Sequence, residues 1–430
     1  MFRSLVTRAL ALILFAFPEI CGAIDKAAPD QSSSHLSTLG QTPDWTALER
    51  YQQTITHDQF VDLLDHVYAT RGYGPELIKI DADAARILMK GDAHDYFILR
   101  FAKSEDDRRP VRHRWKALPD LPKASKIKPL LGLRIALDPG HLGGEWARME
   151  ERWFKIGEAA PVKEGEMTLR VAQLLKPKLK SLGAEVTLLR TNSEPVTPSR
   201  PRDFEKTARR LLQRQGIAKP RENFDGPADP EKEKTVAWQR ELLFYRTSEV
   251  RHRADLANRR IQPDLVLCLH FNAESWGDPN RPTLVDKNHL HLLVNGSYLP
   301  AEIELDDERF EMLRKLLSRS YPEELQIAES VAASLAKTTG LPAYRYTTEN
   351  VTPIGTSGYV YARNLLATRL YRCPTVYLEP YVMNNEEVFE RVQAGDYDGE
   401  KEIAGKKRRS IYREYVDGVV EGLAACFGNR

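Results

Sequence analysis

No run in this 430-residue sequence approaches the roughly 20 apolar residues that a membrane-spanning helix needs. Nor is there an excess of either charge: 63 Lys and Arg face 61 Asp and Glu, a formal net charge of +2. No global field therefore selects nucleic acid or holds the chain to a membrane. With four cysteines the sequence is too poor in thiols for a disulfide-built scaffold. It also lacks internal repeats and long low-complexity runs, which excludes solenoids and arrays. What is present, 42% hydrophobic and 29% charged residues, suits a globular chain of one large or two medium domains.

At the N-terminus Arg3 and Arg8 precede the apolar run Ala9 to Phe17, and Cys21-Gly22-Ala23 offers small residues for cleavage. Residues 1–23 thus read as an export signal. A lipid anchor on Cys21 is the alternative, and Pro18-Glu19-Ile20 is a poor lead-in for it. Cleavage after Ala23 leaves Cys268, Cys373 and Cys426, an odd number that fits buried free thiols. Residues 24–43, rich in Ser, Gln, Asp and Pro, read as a disordered tether.

Residues 44–102 read as a small α+β module without reactive residues in any constellation. Thr56-His57-Asp58-Gln59 has the capping-box form, with Phe60, Leu63, Leu64 and Val67 following at helical spacing. Leu77 to Ile80 and Tyr96 to Phe101 look like strands flanking the helix-favouring Ala84 to Lys90. Charge and proline make 103–130 a linker. From 131 to 430 strand and helix patterns alternate, as in an α/β domain, with charged insertions at about 203–249 and 297–325. Thr168 to Leu182 is helical in period with Pro177 inside it, and Ile411 to Phe427 is a closing helix. The basic run Lys406-Lys407-Arg408-Arg409 reads as a solvated helix face or loop.

Three apolar strands of this domain end in residues able to bind a metal or move a proton. Leu133 to Leu137 runs into Asp138-Pro139-Gly140-His141, Leu265 to Leu269 ends at His270, and Thr375 to Leu378 ends at Glu379. If the strands are parallel, all three residues arrive at one sheet edge. Glu164, at the start of the helix after the first strand, can reach the same edge because a crossover helix packs beside its own strand. Two imidazoles and one carboxylate match the ligand set of a catalytic zinc, and the other carboxylate is left to act on the zinc's water. No compact His-Glu-x-x-His motif accompanies them.

Several ordered stretches carry a resemblance: Asp138 to His141, Glu164 to Leu169, Leu188-Leu189-Arg190, Arg253 to Asn258, Asp264 to Ala273, and Pro374 to Glu379. Residues 133 to about 426 resemble the zinc-dependent N-acetylmuramoyl-L-alanine amidases of bacterial cell-wall turnover, the amidase type 3 family. The resemblance implies a mixed, mostly parallel sheet flanked by helices. It also implies one Zn2+ held by His141, Glu164 and His270, with Glu379 as the catalytic carboxylate. The substrate would be peptidoglycan, cut between N-acetylmuramic acid and L-alanine, and the chain would work after export, in the periplasm or at the cell exterior. The sequence departs from the family at Leu142, where Gly is usual, at Gly165, where Lys is usual, and at Pro380, where Gly is usual. Some members carry a helix that blocks the zinc until a partner moves it. The acidic segment 301–322 could do so here and would then need a protein activator, although a surface helix with an acidic first turn is the simpler reading.

Other residues carry weaker expectations. Glu166 rivals Glu164 but better suits the positive end of its helix. His289 and His291 share a strand face, yet lack a third ligand nearby in sequence and so are expected to line the sheet. Arg190 and Arg253 could bind a substrate carboxylate or form structural ion pairs, and Asn272 could shape the cleft. Tyr344, Tyr346, Tyr359 and Tyr361 suit either sugar or peptide contact or core packing. Two rival functions remain beside amidase activity: an exported zinc peptidase acting on the stem peptide, and a non-catalytic cell-wall binding protein.

Overall fold

The computed structural model describes residues 35–91 and 94–428. The expected export signal, 1–23, and with it Cys21, lies outside the described residues. Of the expected tether, residues 35–42 are held: the Asp306 N–H donates to the His35 carbonyl at 2.7 Å, and the Ser37 N–H donates to Asp307 Oδ1 at 2.8 Å.

The N-terminal module is a three-stranded antiparallel sheet of β1 (Ile78–Ile80), β2 (Ala84–Leu88) and β3 (Tyr96–Arg100), in that order. Its helix His57–Leu63 is capped as expected, with the Thr56 hydroxyl accepting the Gln59 N–H. The helix expected at Ala84–Lys90 is instead β2. Asp81 Oδ1 accepts the N–H groups of Asp83 and Ala84, which turns the chain into a hairpin, and β2 then pairs on both sides. Helix propensity loses here to cross-strand pairing, which buries Ala85 and Ile87 completely.

The module shares its core with the rest of the chain. Trp45 packs edge-on against Phe310 at 5.3 Å, Arg309 Nε donates to the Leu88 carbonyl at 2.9 Å, and the Ser297 N–H donates to the Val67 carbonyl at 2.7 Å.

The larger sheet is built from β4 (Arg134–Pro139), β7 (Glu185–Leu188), β8 (Leu265–Leu269), β9 (Leu290–Val294), β10 (Val351–Pro353), β11 (Val360–Arg363) and β12 (Thr375–Pro380). Between β4 and β7 lies a short antiparallel pair, β5 (Trp153–Phe154) and β6 (Val162–Lys163). The seven strands run in the order β10-β11-β9-β12-β8-β4-β7. β12, β8, β4 and β7 are mutually parallel, and β9 runs antiparallel to β12. This is the mixed, mostly parallel sheet that was expected. Central β8 is buried at every residue, so it reads in sequence as an unbroken apolar run.

Alternate residues of these strands feed two cores. Leu137, Leu267 and Leu378 face the helices Glu164–Ser181, Tyr321–Thr339 and Ile411–Phe427, while Ala136, Val266 and Cys268 face Ala254, Ala257 and Tyr371. Pro177 stands within Glu164–Ser181 without ending it. The helix Ile411–Phe427 lies so close to Tyr321–Thr339 that a Cβ on Gly422 would come 2.6 Å from Val331 Cα. The insertion at 203–249 is largely helical, as expected, and packs Ala208, Leu212, Val236 and Leu243 into a core of its own.

Lys406–Arg409 is neither helix nor loop: it is β14, paired antiparallel with β13 (Glu400–Ile403). The register sets Glu400 opposite Arg409 and Glu402 opposite Lys407, so opposite charges hold a mostly solvated hairpin. Cys268, Cys373 and Cys426 are in no disulfide.

Candidate metal centre

The parallel strands β4, β8 and β12 are tied together at their carboxyl ends. The Gly140 N–H donates to the Leu269 carbonyl at 2.9 Å, and the His270 N–H donates to the Leu378 carbonyl at 3.0 Å. The turn needs Gly140, because a Cβ there would sit 2.1 Å from His270 Cε1. His141 leaves the strand in the left-handed region at φ 56°, which swings its side chain back over the sheet edge.

His141, Glu164 and His270 each offer a ligand atom, and these atoms lie within 4.8 Å of one another, the one such group among the described residues. His141 Nε2 is 3.5 Å from Glu164 Oε2, and His270 Nδ1 is 3.2 Å from Glu164 Oε1. Glu164 is the first residue of its helix and is 2% exposed. Burial opposes its ionisation, yet the imidazoles of His141 and His270 with the Arg152 guanidinium hold it down at about 2. Burial likewise pushes the His141 imidazole well below its ordinary range, toward the neutral form that a metal requires. Glu379, inside β12 rather than beyond its end, is driven well above the carboxylate range by burial and by the neighbouring Glu164. Tyr377 stacks on the His270 ring at 4.0 Å.

Two supporting residues had no signal in the sequence. Glu150 Oε2 lies 3.0 Å from His141 Nδ1 and accepts the Leu142 N–H at 2.9 Å. It orients the ring so that Nε2 faces the cluster, the task that outer carboxylates perform for metal-bound histidines. Burial raises its own pKa to about 7. Arg152 Nε is 3.3 Å from both His141 Nε2 and Glu164 Oε2. The β5–β6 hairpin brings both residues here, pairing Trp153 with Lys163 and joining the Glu164 N–H to the Arg152 carbonyl at 3.2 Å.

The remaining expectations divide. Glu166 lies outside the cluster, accepting the Gly144 N–H at 3.0 Å and pairing with Lys163. His289 and His291 line the sheet: His289 Nε2 lies 3.3 Å from Glu274, and Tyr346 Oη lies 2.8 Å from His291 Nε2. Arg190 and Arg253 are buried and turned to internal partners, so neither is open to a substrate carboxylate. Arg190 donates to the Gly165 carbonyl at 2.7 Å, and Arg253 bridges Asp138, Glu249 and the Pro139 carbonyl. Both clamp the turn that presents His141. Asn272 is half-buried beside His270, with its side-chain oxygen turned to the Ala273 N–H at 2.7 Å. Of the tyrosines, the Tyr361 hydroxyl donates to the Tyr344 carbonyl and that of Tyr359 to the Leu341 carbonyl.

The acidic residues of 301–322 do not reach the metal centre. Glu308 and Glu311 pair with Arg369, Asp306 with Arg309, and Asp307 with Ser37 and Arg251. The helix Asp306–Ser318 is buried between the sheet and the N-terminal module instead of forming an exposed face. Its acidic first turn is spent on internal ion pairs.

Residues 135–411 match the family model described as N-acetylmuramoyl-L-alanine amidase. The chain belongs to that family. It is an N-acetylmuramoyl-L-alanine amidase, an enzyme of peptidoglycan amide hydrolysis. Among solved structures it is similar to the amidase Ami1 of Mycobacterium smegmatis, at 18% identity over 70% of this chain and 99% of that one, with a TM-score of 0.37. It is also similar to the amidase CwlD of Clostridioides difficile, solved with the lipoprotein GerS, at 10% identity over 70% of this chain and 100% of that one, TM-score 0.39. A third is AmiC2 of Nostoc punctiforme, at 16% identity over 69% of this chain and 94% of that one, TM-score 0.32. No curated protein matches the chain. The amidase has no described helix long and apolar enough to cross a membrane.

Proposed function

We propose that the amidase is a zinc enzyme cutting the bond between N-acetylmuramic acid and L-alanine, with His141, Glu164 and His270 as ligands and Glu379 as general base. The observation that carries this reading is the convergence of two imidazoles and a carboxylate on one sheet edge beside a second carboxylate, Glu379, carried by β12. The donor set fits zinc: nitrogen and carboxylate oxygen ligands, three in number, with Glu150 behind one imidazole. When bound there, zinc supplies Lewis-acid polarisation and a water that ionises near neutral pH.

The chain's own residues do the rest. Glu164 stays anionic and His141 neutral, the forms in which each can act as a ligand. Glu379 takes the proton of the attacking water and returns it to the leaving nitrogen of L-alanine. A carboxyl held above its ordinary range suits a group that must both accept and give back a proton. Tyr377, stacked on His270, fixes the plane of that ring.

The test is digestion of purified peptidoglycan by the amidase, by zinc-stripped protein and by Glu379→Ala. Release of intact stem peptide by the first alone supports the reading. Cleavage within the stem would instead favour the peptidase, and equal behaviour of all three would remove the mechanism. Peptidoglycan lies outside the cytoplasm, so we also propose that 1–23 directs export, to the periplasm or the exterior. Residues 44–102 and 131–430 are proposed as module and catalytic domain joined by 103–130.

An activator that lifts 301–322 is not part of this reading. Deletion of that segment removes Met312, Leu313, Leu316 and Leu317, all fully buried, at about 2 kcal/mol or more each. We expect an unfolded chain by circular dichroism; a folded deletion with raised activity would restore the gating idea.

A further inference from the structure

The two ends of the parallel strands differ in charge. Their carboxyl ends carry the metal centre, while arginines gather at their amino ends. A cleft of about 410 Å³ opens between residues 105–117 and the segment after helix Asp306–Ser318, lined by Arg108, Arg109, His113, Trp115 and Arg319 among others. His113 stacks on Trp115 with ring centroids 4.1 Å apart, which gives the cleft a flat aromatic wall. Two carboxylates also line it. Glu105 lies 3.6 Å from Arg108, and Glu323 accepts the Leu118 N–H at 3.2 Å.

Arg319 is the residue that this arrangement leaves unexplained. It caps its helix in the left-handed region, φ 55°, where glycine would be easier. Its half-buried guanidinium has no ion-pair partner among the described residues, and burial and Arg108 both work against its charge. The basic surface continues past the cleft. Exposed Arg372, just before β12, is lowered to about 10 by partial burial and by the pressure of Arg314, Arg114 and Arg259. Of these, Arg259 has a carboxylate beside it, Asp255 at 3.3 Å. Arg109, Arg114 and Arg372 have none within ion-pair distance among the described residues.

A second feature lies at the same end. The exposed large hydrophobic side chains among the described residues are Ile98, Ile127 at 78% and Leu131 at 41%. The last two stand just before β4, in a segment that also carries Lys123, Lys126 and Lys128. Exposed aliphatic groups set among lysines suit an interface between water and hydrocarbon. A soluble anion would need only the cleft; arginines spread over a face, with apolar side chains beside them, match a surface of repeating phosphates.

We propose that the amino-end pole of the sheet docks on an anionic phospholipid bilayer, with Arg109, Arg319 and Arg372 meeting headgroup phosphates and Ile127 and Leu131 entering the interface. The six residues of β4 then hold the metal centre roughly 20 Å from the lipid, facing away from it.

The test is flotation of the full chain with vesicles of mixed phosphatidylglycerol and phosphatidylcholine, or of phosphatidylcholine alone. Wild type should bind the anionic vesicles preferentially and be released by about 0.5 M salt. The triple variant Arg109→Glu, Arg319→Glu, Arg372→Glu should bind about a hundredfold more weakly while hydrolysing soluble peptidoglycan fragments at the wild-type rate. Because every variant keeps the same apolar N-terminus, that segment cannot produce the difference. Should the triple variant not fold, the exposed pair Arg109→Glu, Arg114→Glu should still weaken binding about tenfold. Ile127→Ser with Leu131→Ser should weaken it severalfold without altering the salt response. Equal vesicle binding by wild type and a folded charge-reversed protein would overturn the proposal. So would binding of inorganic phosphate without binding of vesicles, which would reduce the cleft to a small-anion site.

Discussion

Two pairs of histidines sit on the central sheet of this amidase, and only one pair is equipped to hold a metal. His289 and His291 share one strand and therefore one face, with ring centroids 6.1 Å apart. Each is committed elsewhere, to Glu274 and to Tyr346, and each keeps a buried Nδ1 without a partner. His141 and His270 come from different strands and meet edge to face at 5.0 Å, with Glu164 delivered between them by a helix start. Proximity of imidazoles is common to both pairs. What separates them is a carboxylate that reaches both rings, since Glu274 lies beside His289 alone, together with Glu150 fixing the tautomer.

That difference can be tested in order of expected effect. Glu164→Ala should abolish both zinc binding and peptidoglycan hydrolysis, with activity down at least about a thousandfold, because it removes the donor that joins the two rings. Zinc retained at one equivalent by elemental analysis would count against Glu164 as a ligand. Glu150→Gln should leave the ligands in place but weaken zinc affinity roughly 10–100-fold, measured by competition with a chelator. Unchanged affinity would mean that the turn alone orients His141. Tyr344→Glu attempts to equip the second pair, since the Tyr344 ring lies 4.3 Å and 5.2 Å from the rings of His289 and His291. A second zinc equivalent is expected, and a count that stays at one would show that the rings themselves are misaimed. His291→Gln should change activity by less than about threefold and leave the zinc content alone.

The parts of this molecule that were legible in sequence are those in which local pattern and tertiary role coincide. β8 is buried on both faces, so its unbroken apolar run announced it, and His270 followed directly. The same logic exposed β4 and His141, and the start of the following helix exposed Glu164. Ala84–Leu88 was misread because Ala, Arg and Leu favour a helix, and only Ile78 and Phe97 alongside make the segment a strand. Glu150 and Arg152 were invisible because they reach the metal centre through a two-residue hairpin that has no periodicity to read. Arg190 and Arg253 invited a substrate role, since sequence reveals charge but not whether a guanidinium is already surrounded by carbonyls.

The two departures from the family near His141 touch one another. A Cβ on Gly165 would lie 2.0 Å from the Leu142 carbonyl oxygen, so the loop that carries fully buried Leu142 rests directly on the bare backbone of Gly165. That contact is with backbone, so it asks for glycine at 165 whatever side chain stands at 142. A lysine at 165 should displace the loop with either residue at 142, and a glycine in place of fully buried Leu142 should leave a void. The two exchanges thus strain one loop by separate routes: a side chain at 165 pushes on its backbone, and a glycine at 142 empties the buried space that Leu142 fills.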